Sequence, residues 1–282
     1  TEAGAYLTKS VGDAEKFARL ASLEAETKGE KVRLIACGGD GTLNEVLNGV
    51  MGFDSASVGV MPIGTGNDFV RNFSDTDSFL DVCAQINADT VKCDVIKYSG
   101  IIGGREQTRY CANMFNIGFD CNVVDLTARL KTYPLLKGSI AYLAAVAGIL
   151  IKKKGANLKI EIDGETVHEG PLLLTAIANG SFCGGGVKSS PKASLNDGLI
   201  DANIIYNVTR REFIRKFPAY SKGTHFQLSD IDKILYYRQC RDVVITPLDG
   251  TMRLCTDGEI TDAERVHMEI VPDAVEVAVP GR

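Results

Sequence analysis

Residues 32–50 of the chain, VRLIACGGDGTLNEVLNGV, decide its fold. The apolar run from Val32 to Cys37 predicts a buried strand, and a glycine-rich turn follows it. From Leu43 onward, apolar residues recur at positions i, i+3, i+4 and i+7, which predicts a helix with one buried face. The stretch is therefore a strand, a tight turn and a helix.

A second stretch repeats this plan. Residues 57–62 predict a strand, the turn IGTGN follows, and a helix opens near Asp68. Further helices are predicted over residues 13–28, with Asp13 as the N-cap, and over residues 78–87. Two strand-turn-helix units predict a parallel sheet flanked by helices.

The pattern changes near residue 97. Beyond it, apolar residues alternate with period two, as in residues 158–162 before an Asp-Gly turn, which predicts mainly antiparallel strands. Two helices are expected in this half, at residues 123–151 and 210–220. We therefore predict an α/β domain over residues 1–96 and a β-rich domain over residues 97–282, with the last residues packing back on the first domain.

The composition excludes several classes of protein. The chain has 282 residues, of which 45 % are hydrophobic and 24 % are charged, as in ordinary folded proteins. A net charge of −5 gives no general attraction to nucleic acid. The longest apolar run, residues 140–151, is shorter than the roughly 20 residues that a bilayer-spanning helix needs. We expect a cytoplasmic protein with no transmembrane segment and no nucleic-acid partner.

Cysteine and histidine chemistry is not indicated. The eight cysteines include no CxxC pair, and several lie in apolar runs where cysteine behaves as a small hydrophobic residue. The three histidines, at positions 168, 225 and 267, are far apart, so no zinc-binding spacing occurs. Reduced thiols in a cytosol are the prediction.

The glycine-rich turn at residues 38–45 is the strongest signal for a ligand. Glycines let backbone N–H groups approach an anion, and the helix N-terminus adds unpaired donors and a partial positive charge. Thr42 and Glu45 also have the spacing of a capping box, so part of the motif could simply begin the helix. The turn at residues 64–68 lies at the same edge of the predicted sheet, and the pair favours a triphosphate. No Walker-type lysine motif occurs.

The two turns also carry a family resemblance. GGDGTLNEV at residues 38–46 and PIGTGNDF at residues 62–69 resemble the bacterial diacylglycerol kinase-like lipid kinases, which share a catalytic domain with eukaryotic diacylglycerol and sphingosine kinases. The resemblance continues, in the family's order, through the motifs at residues 184–186, 191–193, 196–199 and 256–259. It implies an α/β + β fold class: an N-terminal Rossmann-like nucleotide-binding domain, a C-terminal antiparallel β-sandwich, and an active site in the cleft between them.

The resemblance implies ATP and Mg²⁺ as cofactors. In the family the matching turns hold ATP, although Asp40 could instead orient the metal. The implied nucleotide contacts are Gly38, Gly39, Asp40, Gly41, Thr42, Leu43, Asn44, Glu45, Gly64, Thr65, Gly66 and Asn67. The family's Asp-Gly-Leu segment carries a structural magnesium site, which implies the Asp197 side chain and the carbonyls of Ser194 and Leu199 as ligands. Without the resemblance, Asp197 would be interpreted as part of a turn leading into a strand.

The catalytic prediction rests on two carboxylates. Phosphoryl transfer to an alcohol needs a group that accepts the hydroxyl proton, and in the family an Asp-Gly-Glu segment supplies it. Asp257 and Glu259 match that segment, and in extended backbone both side chains would point to one face. The alternative is a hairpin turn with solvated carboxylates. Which of the two removes the proton stays open.

The resemblance has one departure. Family members begin with a strand that ends in an Asn-Pro turn, and nothing of that kind precedes Gly4. Its loss from this piece of the protein is the favoured interpretation, because the later motifs are intact. A regulator that binds nucleotide or lipid without turnover is one alternative function. A kinase for a soluble acceptor such as NAD is another, since NAD kinases share the GGDGT motif.

The lipid substrate implies contact with a membrane surface. Apolar residues between positions 133 and 151, flanked by Lys131, Lys137 and the lysines at positions 152–154, could meet an anionic bilayer. They could equally form a core helix with a solvated lysine end. We expect a peripherally membrane-associated enzyme, and a homodimer stays open, as does the identity of the lipid.

Overall fold

The structure is a computed structural model, and it describes residues 3–119 and 155–281. The helix predicted over residues 123–151 lies outside the described residues, and so do the lysines at positions 131, 137 and 152–154. Among the helices in the described ranges, none combines the length and the apolar character that crossing a bilayer requires.

The described part of the chain contains four α-helices and thirteen strands. The helices are α1 (Asp13–Lys28), α2 (Asp40–Val50), α3 (Val82–Asn87) and α4 (Arg210–Ser221). The strands are β1 (Val32–Gly38), β2 (Ala56–Pro62), β3 (Thr90–Ile102), β4 (Arg105–Cys111), β5 (Met114–Gly118), β6 (Ala156–Ile162), β7 (Glu165–Leu172), β8 (Leu174–Ala178), β9 (Ile200–Ile205), β10 (Leu235–Cys240), β11 (Asp242–Pro247), β12 (Met252–Thr256) and β13 (Glu259–Ala278).

The N-terminal part is built as its periodicity predicts. Strands β1 and β2 pair in parallel, and α1 and α2 pack together beside them. The helices approach closely at Gly49, where an added Cβ would lie 2.6 Å from the Ala18 side chain. Gly12, and not Asp13, is the N-cap of α1, so the predicted cap is wrong by one residue.

Two other predicted helices differ from the structure in detail. The segment after Asp68 is a short 3₁₀ helix, Phe69–Asn72. The helix predicted over residues 78–87 is split into a 3₁₀ turn, Ser78–Leu80, and α3. The break falls at Asp81 because its carboxylate accepts hydrogen bonds from the backbone N–H groups of residues 83 and 84, which begins a new helix.

The C-terminal part is antiparallel, as the period-two pattern predicts. Strands follow the order β10-β9-β8-β5-β12-β13-β11-β6-β7. The predicted turn at Asp163-Gly164 connects β6 and β7, and both residues have positive φ, at 48° and 81°, as a two-residue hairpin loop requires. Apolar side chains from strands β3 to β13 form one large core, among them Phe115, Ile160 and Val266.

One long strand connects the two parts. β13 has 20 residues, and it pairs with β3, β11 and β12 in antiparallel fashion. At its far end, Glu276 and Val277 pair in parallel with Ser57 and Val58 of β2. Val277 therefore joins the N-terminal core, which also contains Leu47 and Val58.

Candidate active site

The two glycine-rich turns contact each other where β1 and β2 end. The Gly64 N–H donates to the Gly38 carbonyl at 3.1 Å. A Cβ added at Gly39 would lie 3.3 Å from the Gly64 Cα, tighter than most contacts of that kind, so a side chain would push the turns apart. Gly64 and Thr65 are exposed to solvent. The structure thus brings the two predicted phosphate turns together at one sheet edge.

Asp40 faces the second turn. Its Oδ1 accepts a hydrogen bond from the Phe69 N–H at 3.2 Å, so it stabilises the start of the 3₁₀ helix there. Burial raises the pKa of the Asp40 carboxyl, and the neighbouring Asp257 raises it further, while the backbone donors oppose the shift.

Asp68 connects the second turn to the β-rich part of the chain. It is 7 % exposed, and it accepts hydrogen bonds from the Gly185 N–H at 2.9 Å and the Gly186 N–H at 2.8 Å. Burial raises the pKa of Asp68 to about 6, and the neighbouring Asp40 adds to the shift. The 184–186 glycine motif therefore lies against the predicted nucleotide turn at residues 64–68, a contact that the sequence analysis did not foresee.

Asp257 lies in a hairpin turn and not in extended backbone. Asp257 and Gly258 have φ values of 47° and 91°, and they connect β12 to β13. The argument that both carboxylates face one side of an extended strand is therefore wrong. The hairpin alternative was right about the turn and about Glu259, which is exposed, but wrong about Asp257, which is only 8 % exposed.

The Asp257 carboxylate accepts hydrogen bonds from five donors. The backbone N–H groups of residues 112, 113 and 114 donate at 2.9 to 3.0 Å. The Cys111 thiol donates at 3.1 Å, and the side-chain amide of Asn44 donates at 3.0 Å. Each carboxylate oxygen is therefore engaged by at least two donors, which holds the side chain in one position.

Glu259 has a freer carboxylate. Its Oε1 lies 2.8 Å from where a Cβ on Gly41 would be, so only glycine at that position lets it approach the start of α2 this closely. Burial raises the pKa of Glu259, and the negative charge of Glu45 contributes next, whereas Arg109 lowers it. A carboxyl group with a raised pKa, beside the predicted phosphate turn, is suited to proton transfer.

The later residues of the GGDGTLNE motif hold the site together. Leu43 is buried in the N-terminal core. Glu45 accepts hydrogen bonds from the Gly12 N–H at 2.8 Å and the Ala14 N–H at 3.1 Å, at the start of α1. The capping-box interpretation is therefore wrong, because Glu45 caps the neighbouring helix. Asn48, which the sequence analysis missed, exchanges hydrogen bonds with the backbone of Tyr110 in β4.

Asn67 closes the second turn. Its φ is 53°, and its side-chain amide donates to the carbonyls of Pro62 at 2.8 Å and Gly64 at 3.0 Å. These bonds shape the turn and leave the exposed backbone of Thr65 as its free surface.

Arg109 is one cation beside these carboxylates, and Arg71, which pairs with Asp68 at 3.7 Å, is another. Arg109 pairs with Glu15 of α1, with an Nη2 to Oε2 distance of 2.8 Å, and it contacts the hydroxyl of Tyr98. No spacing rule connects an arginine in β4 to the β12–β13 hairpin, so only the folded structure reveals it.

The residues predicted to hold magnesium lie together near Asp94. Asp197 Oδ1 accepts from the Leu199 N–H at 3.1 Å, and Asp94 Oδ2 accepts from the Gly198 N–H at 2.7 Å. Burial and the nearby Asp94 raise the pKa of Asp197. In residues 3–119 and 155–281, no group of three His, Cys, Asp or Glu side chains is placed to hold a metal, so backbone oxygens would have to complete this site.

A separate apolar cavity of about 50 Å³ lies beneath α4. Its lining includes Leu174 of β8, Ile205 of β9 and the inner face of α4, through Phe213 and Phe217. The cavity is not part of the carboxylate cluster.

Comparison with known protein families supports the two-part organisation. Residues 2–98 match the diacylglycerol kinase catalytic domain. Residues 113–279 match the YegS C-terminal domain, described as an NAD kinase β-sandwich-like domain. The chain thus has an N-terminal catalytic domain followed by a β-sandwich-like domain.

Individual relatives agree with this assignment. A diacylglycerol kinase of Bacillus subtilis is 31 % identical over 261 residues, which are 92 % of this chain and 79 % of the relative. The lipid kinase YegS of Escherichia coli is 29 % identical over 280 residues, covering 97 % and 85 % of the two chains. A crystal structure of a diacylglycerol kinase from Bacillus anthracis has the same fold, with a TM-score of 0.67 at 19 % identity, over 97 % of this chain and 84 % of that one.

These matches define the class of the protein as a phosphotransferase, a lipid kinase. More narrowly, the chain belongs to the diacylglycerol kinase family that includes YegS.

Proposed function

We propose that the protein transfers the γ-phosphate of ATP to a hydroxyl of a diacylglycerol-like lipid. The reaction takes place in a cleft between a Rossmann-like nucleotide-binding domain and the β-sandwich. The observation that carries the proposal is the position of Glu259, from the β-sandwich hairpin, beside Gly41 at the N-terminus of α2. A proton acceptor and a phosphate turn, from different parts of the chain, meet there.

The residues at the two turns fit a triphosphate. The exposed Thr65 backbone and the glycine-rich start of α2 offer N–H groups and a helix N-terminus to an anion. Four carboxylates crowd this region, namely Asp40, Asp68, Asp257 and Glu259, so a bound phosphate needs positive charge beside it. Arg109 and Arg71 are the nearby cations.

The residues near Asp94 fit magnesium. Oxygen donors suit this ion, which also keeps several waters, and a cation would relieve the repulsion between Asp94 and Asp197. Asp197 with the carbonyls of Ser194 and Leu199 would hold it. When bound, the ion supplies positive charge that fixes the 194–199 turn against Asp94, and magnesium bound with ATP supplies charge to the phosphates.

Glu259 is the proton acceptor in this proposal, and Asp257 positions it. The lone pairs of Asp257 are engaged by five donors, whereas Glu259 is partly accessible. Glu259 takes the proton of the lipid hydroxyl as the hydroxyl oxygen attacks the γ-phosphorus. The bond from that phosphorus to the bridging oxygen breaks, and ADP leaves with the electron pair.

Transfer of labelled γ-phosphate from ATP, with Mg²⁺, tests the proposal directly. The acceptors are diacylglycerol, phosphatidylglycerol, sphingosine and ceramide in micelles, with NAD as a soluble acceptor. A labelled lipid made by the wild type and absent with Glu259→Gln supports the proposal. Labelled NADP would assign a soluble acceptor. ATP binding without any product would assign a regulator without turnover. A lipid acceptor places the enzyme at the cytoplasmic membrane surface as a peripheral protein.

A further inference from the structure

Helix α4 has two chemically different faces. Thr209 and Glu212 form a capping box that fixes its N-terminus, so the faces are well defined. Phe213, Phe217 and Tyr220 line the apolar cavity on the inner face. The opposite face is exposed and consists of Arg211, Ile214, Arg215, Pro218 and Lys222.

The outer face of α4 is strongly basic. Its five residues include three cations, Arg211, Arg215 and Lys222, and no carboxylate, whereas the whole chain carries a net charge of −5. The nearby Asp230 offsets only part of this charge, because its carboxylate binds the inward-lying Lys216 at 2.5 Å and pairs with Arg215 at 3.9 Å. Within the described residues, Arg211 and Lys222 have no ion-pair partner.

The same face carries an apolar side chain. Ile214 is 62 % exposed, and it projects from the helix between Arg211 and Arg215. A basic helical face with an exposed apolar residue is typical of helices that lie in a bilayer interface. A nucleic acid would be attracted by the arginines but would offer Ile214 no apolar layer, and the proposed lipid substrate favours a bilayer over an acidic protein as the partner.

We propose that the outer face of α4 docks on an anionic bilayer surface, with Ile214 in the headgroup boundary and Arg211, Arg215 and Lys222 on lipid phosphates. This inference rests on the proposed lipid-kinase function and names the surface that meets the membrane. The helix then lies parallel to the bilayer. The apolar cavity beneath it is separated from the lipid by a single helix, roughly 10–12 Å thick.

Vesicle co-sedimentation tests the docking without requiring turnover. The full chain is mixed with vesicles of phosphatidylcholine alone or of phosphatidylcholine with phosphatidylglycerol. Each basic residue contributes about fivefold to partitioning on an anionic surface, so the variant Arg211→Glu, Arg215→Glu, Lys222→Glu should bind anionic vesicles at least about 100-fold more weakly. Wild-type binding should fall with added salt, and Ile214→Ser should weaken it at any salt concentration.

A matched control changes the same net charge elsewhere. Lys9, Lys31 and Arg105 are exposed, and their reversal to Glu should leave vesicle binding within about twofold. Both triple variants should melt at the wild-type temperature. Three outcomes would each overturn the proposal. They are an equal loss of vesicle binding in the two triple variants, unchanged vesicle binding in the α4 variant, and wild-type binding that does not increase when phosphatidylglycerol is present.

Activity on a short-chain diacylglycerol, dispersed as monomers, separates this inference from the proposed function. The α4 variant should phosphorylate that acceptor at the wild-type rate but lose activity on vesicle-borne diacylglycerol. Wild-type protein that binds anionic vesicles yet phosphorylates neither acceptor would refute the proposed function and leave the docking intact. Equal loss of activity on both acceptors in the α4 variant would refute docking as the cause.

Discussion

The side-chain amide of Asn44, in α2, donates a hydrogen bond of 3.0 Å to Oδ2 of Asp257, in the β12–β13 turn. The two residues are 213 positions apart in sequence, and both are buried. This bond joins the helix that follows the first phosphate turn to the hairpin that carries Glu259. The distance between the phosphate turn and the carboxylates is therefore fixed by direct side-chain contact.

Asp257→Asn should destabilise the fold as well as the reaction. The asparagine amide has one oxygen in place of two, and its NH₂ group faces backbone N–H donors that it cannot accept from. Buried hydrogen bonds to a charged group are worth about 1.5–3 kcal/mol each. We expect the free energy of unfolding in denaturant to fall by roughly 3 kcal/mol. An unchanged unfolding midpoint, with activity lost, would instead give Asp257 a purely chemical role.

Glu259→Gln should abolish transfer while leaving stability intact. The side chain keeps its size and makes no bond to the buried network around Asp257. Loss of a general base lowers kcat by roughly 10²–10⁴-fold, and KM for ATP should stay close to the wild-type value. Steady-state kinetics and a thermal melt check both expectations, and activity within a few-fold of wild type would exclude Glu259 as the base.

Glu45→Gln should shift the pH dependence of the reaction. The negative charge of Glu45 raises the pKa of Glu259, and neutralising it lowers that pKa. Because the base must be deprotonated, the acid limb of kcat/KM should move to lower pH. Arg109→Gln removes the charge that lowers the pKa of Glu259. The acid limb of kcat/KM in this variant should therefore move to higher pH. A lower melting temperature with no shift in either profile would show a structural role alone.

Asp68→Asn should alter stability in a pH-dependent manner. Burial raises the folded-state pKa of Asp68 to about 6, above its ordinary value of 3.8. The protonated Asp68 side chain therefore makes its full contribution to the free energy of unfolding below the ordinary pKa of 3.8. That contribution is lost as the pH rises through about 6. Relative to wild type, the variant should gain about 2 kcal/mol of unfolding free energy between about pH 4.5 and pH 7.5. A difference independent of pH would contradict a buried, titrating carboxyl.

Asp197→Ala should affect magnesium more than ATP. Removing this carboxylate takes away the one side chain among the proposed magnesium ligands, so the Mg²⁺ concentration needed for half-maximal activity should rise about tenfold or more. The magnesium-dependent increase in melting temperature should disappear with it. Asn196→Ala, beside it, is the control and should keep both. A titration curve that matches wild type would exclude Asp197 as a ligand.

Local patterns predicted the local structure well. The helix over residues 13–28, the strand-turn-helix unit from Val32 and the Asp163-Gly164 hairpin follow from periodicity and turn chemistry, which depend on neighbours in sequence. The Asp257-Gly258 turn follows the same chemistry. The sequence analysis gave this turn only as the alternative, because extended backbone was assumed for the two carboxylates.

The contacts that give each carboxylate its role depend on distant residues. Glu45 binds the start of α1, 31 to 33 positions away, and Asp68 binds Gly185, 117 positions away. Motif spacing brings these residues to the site but does not say which neighbour each will bind. Burial and partner choice, which raise the pKa of Asp68 and Glu259, are properties of the folded chain.

The length of β13 governs how the two parts of the molecule can move. β13 is hydrogen-bonded to strands in both parts of the molecule. A rotation of one part relative to the other must therefore bend or twist this strand. Its ladder with β3 shifts register between Val271 and Val275, where Asp273 has a φ of 50° and its N–H donates to Asp94 at 2.9 Å. That bulge interrupts the regular β3–β13 ladder, and the hydrogen bond to Asp94 holds it in place.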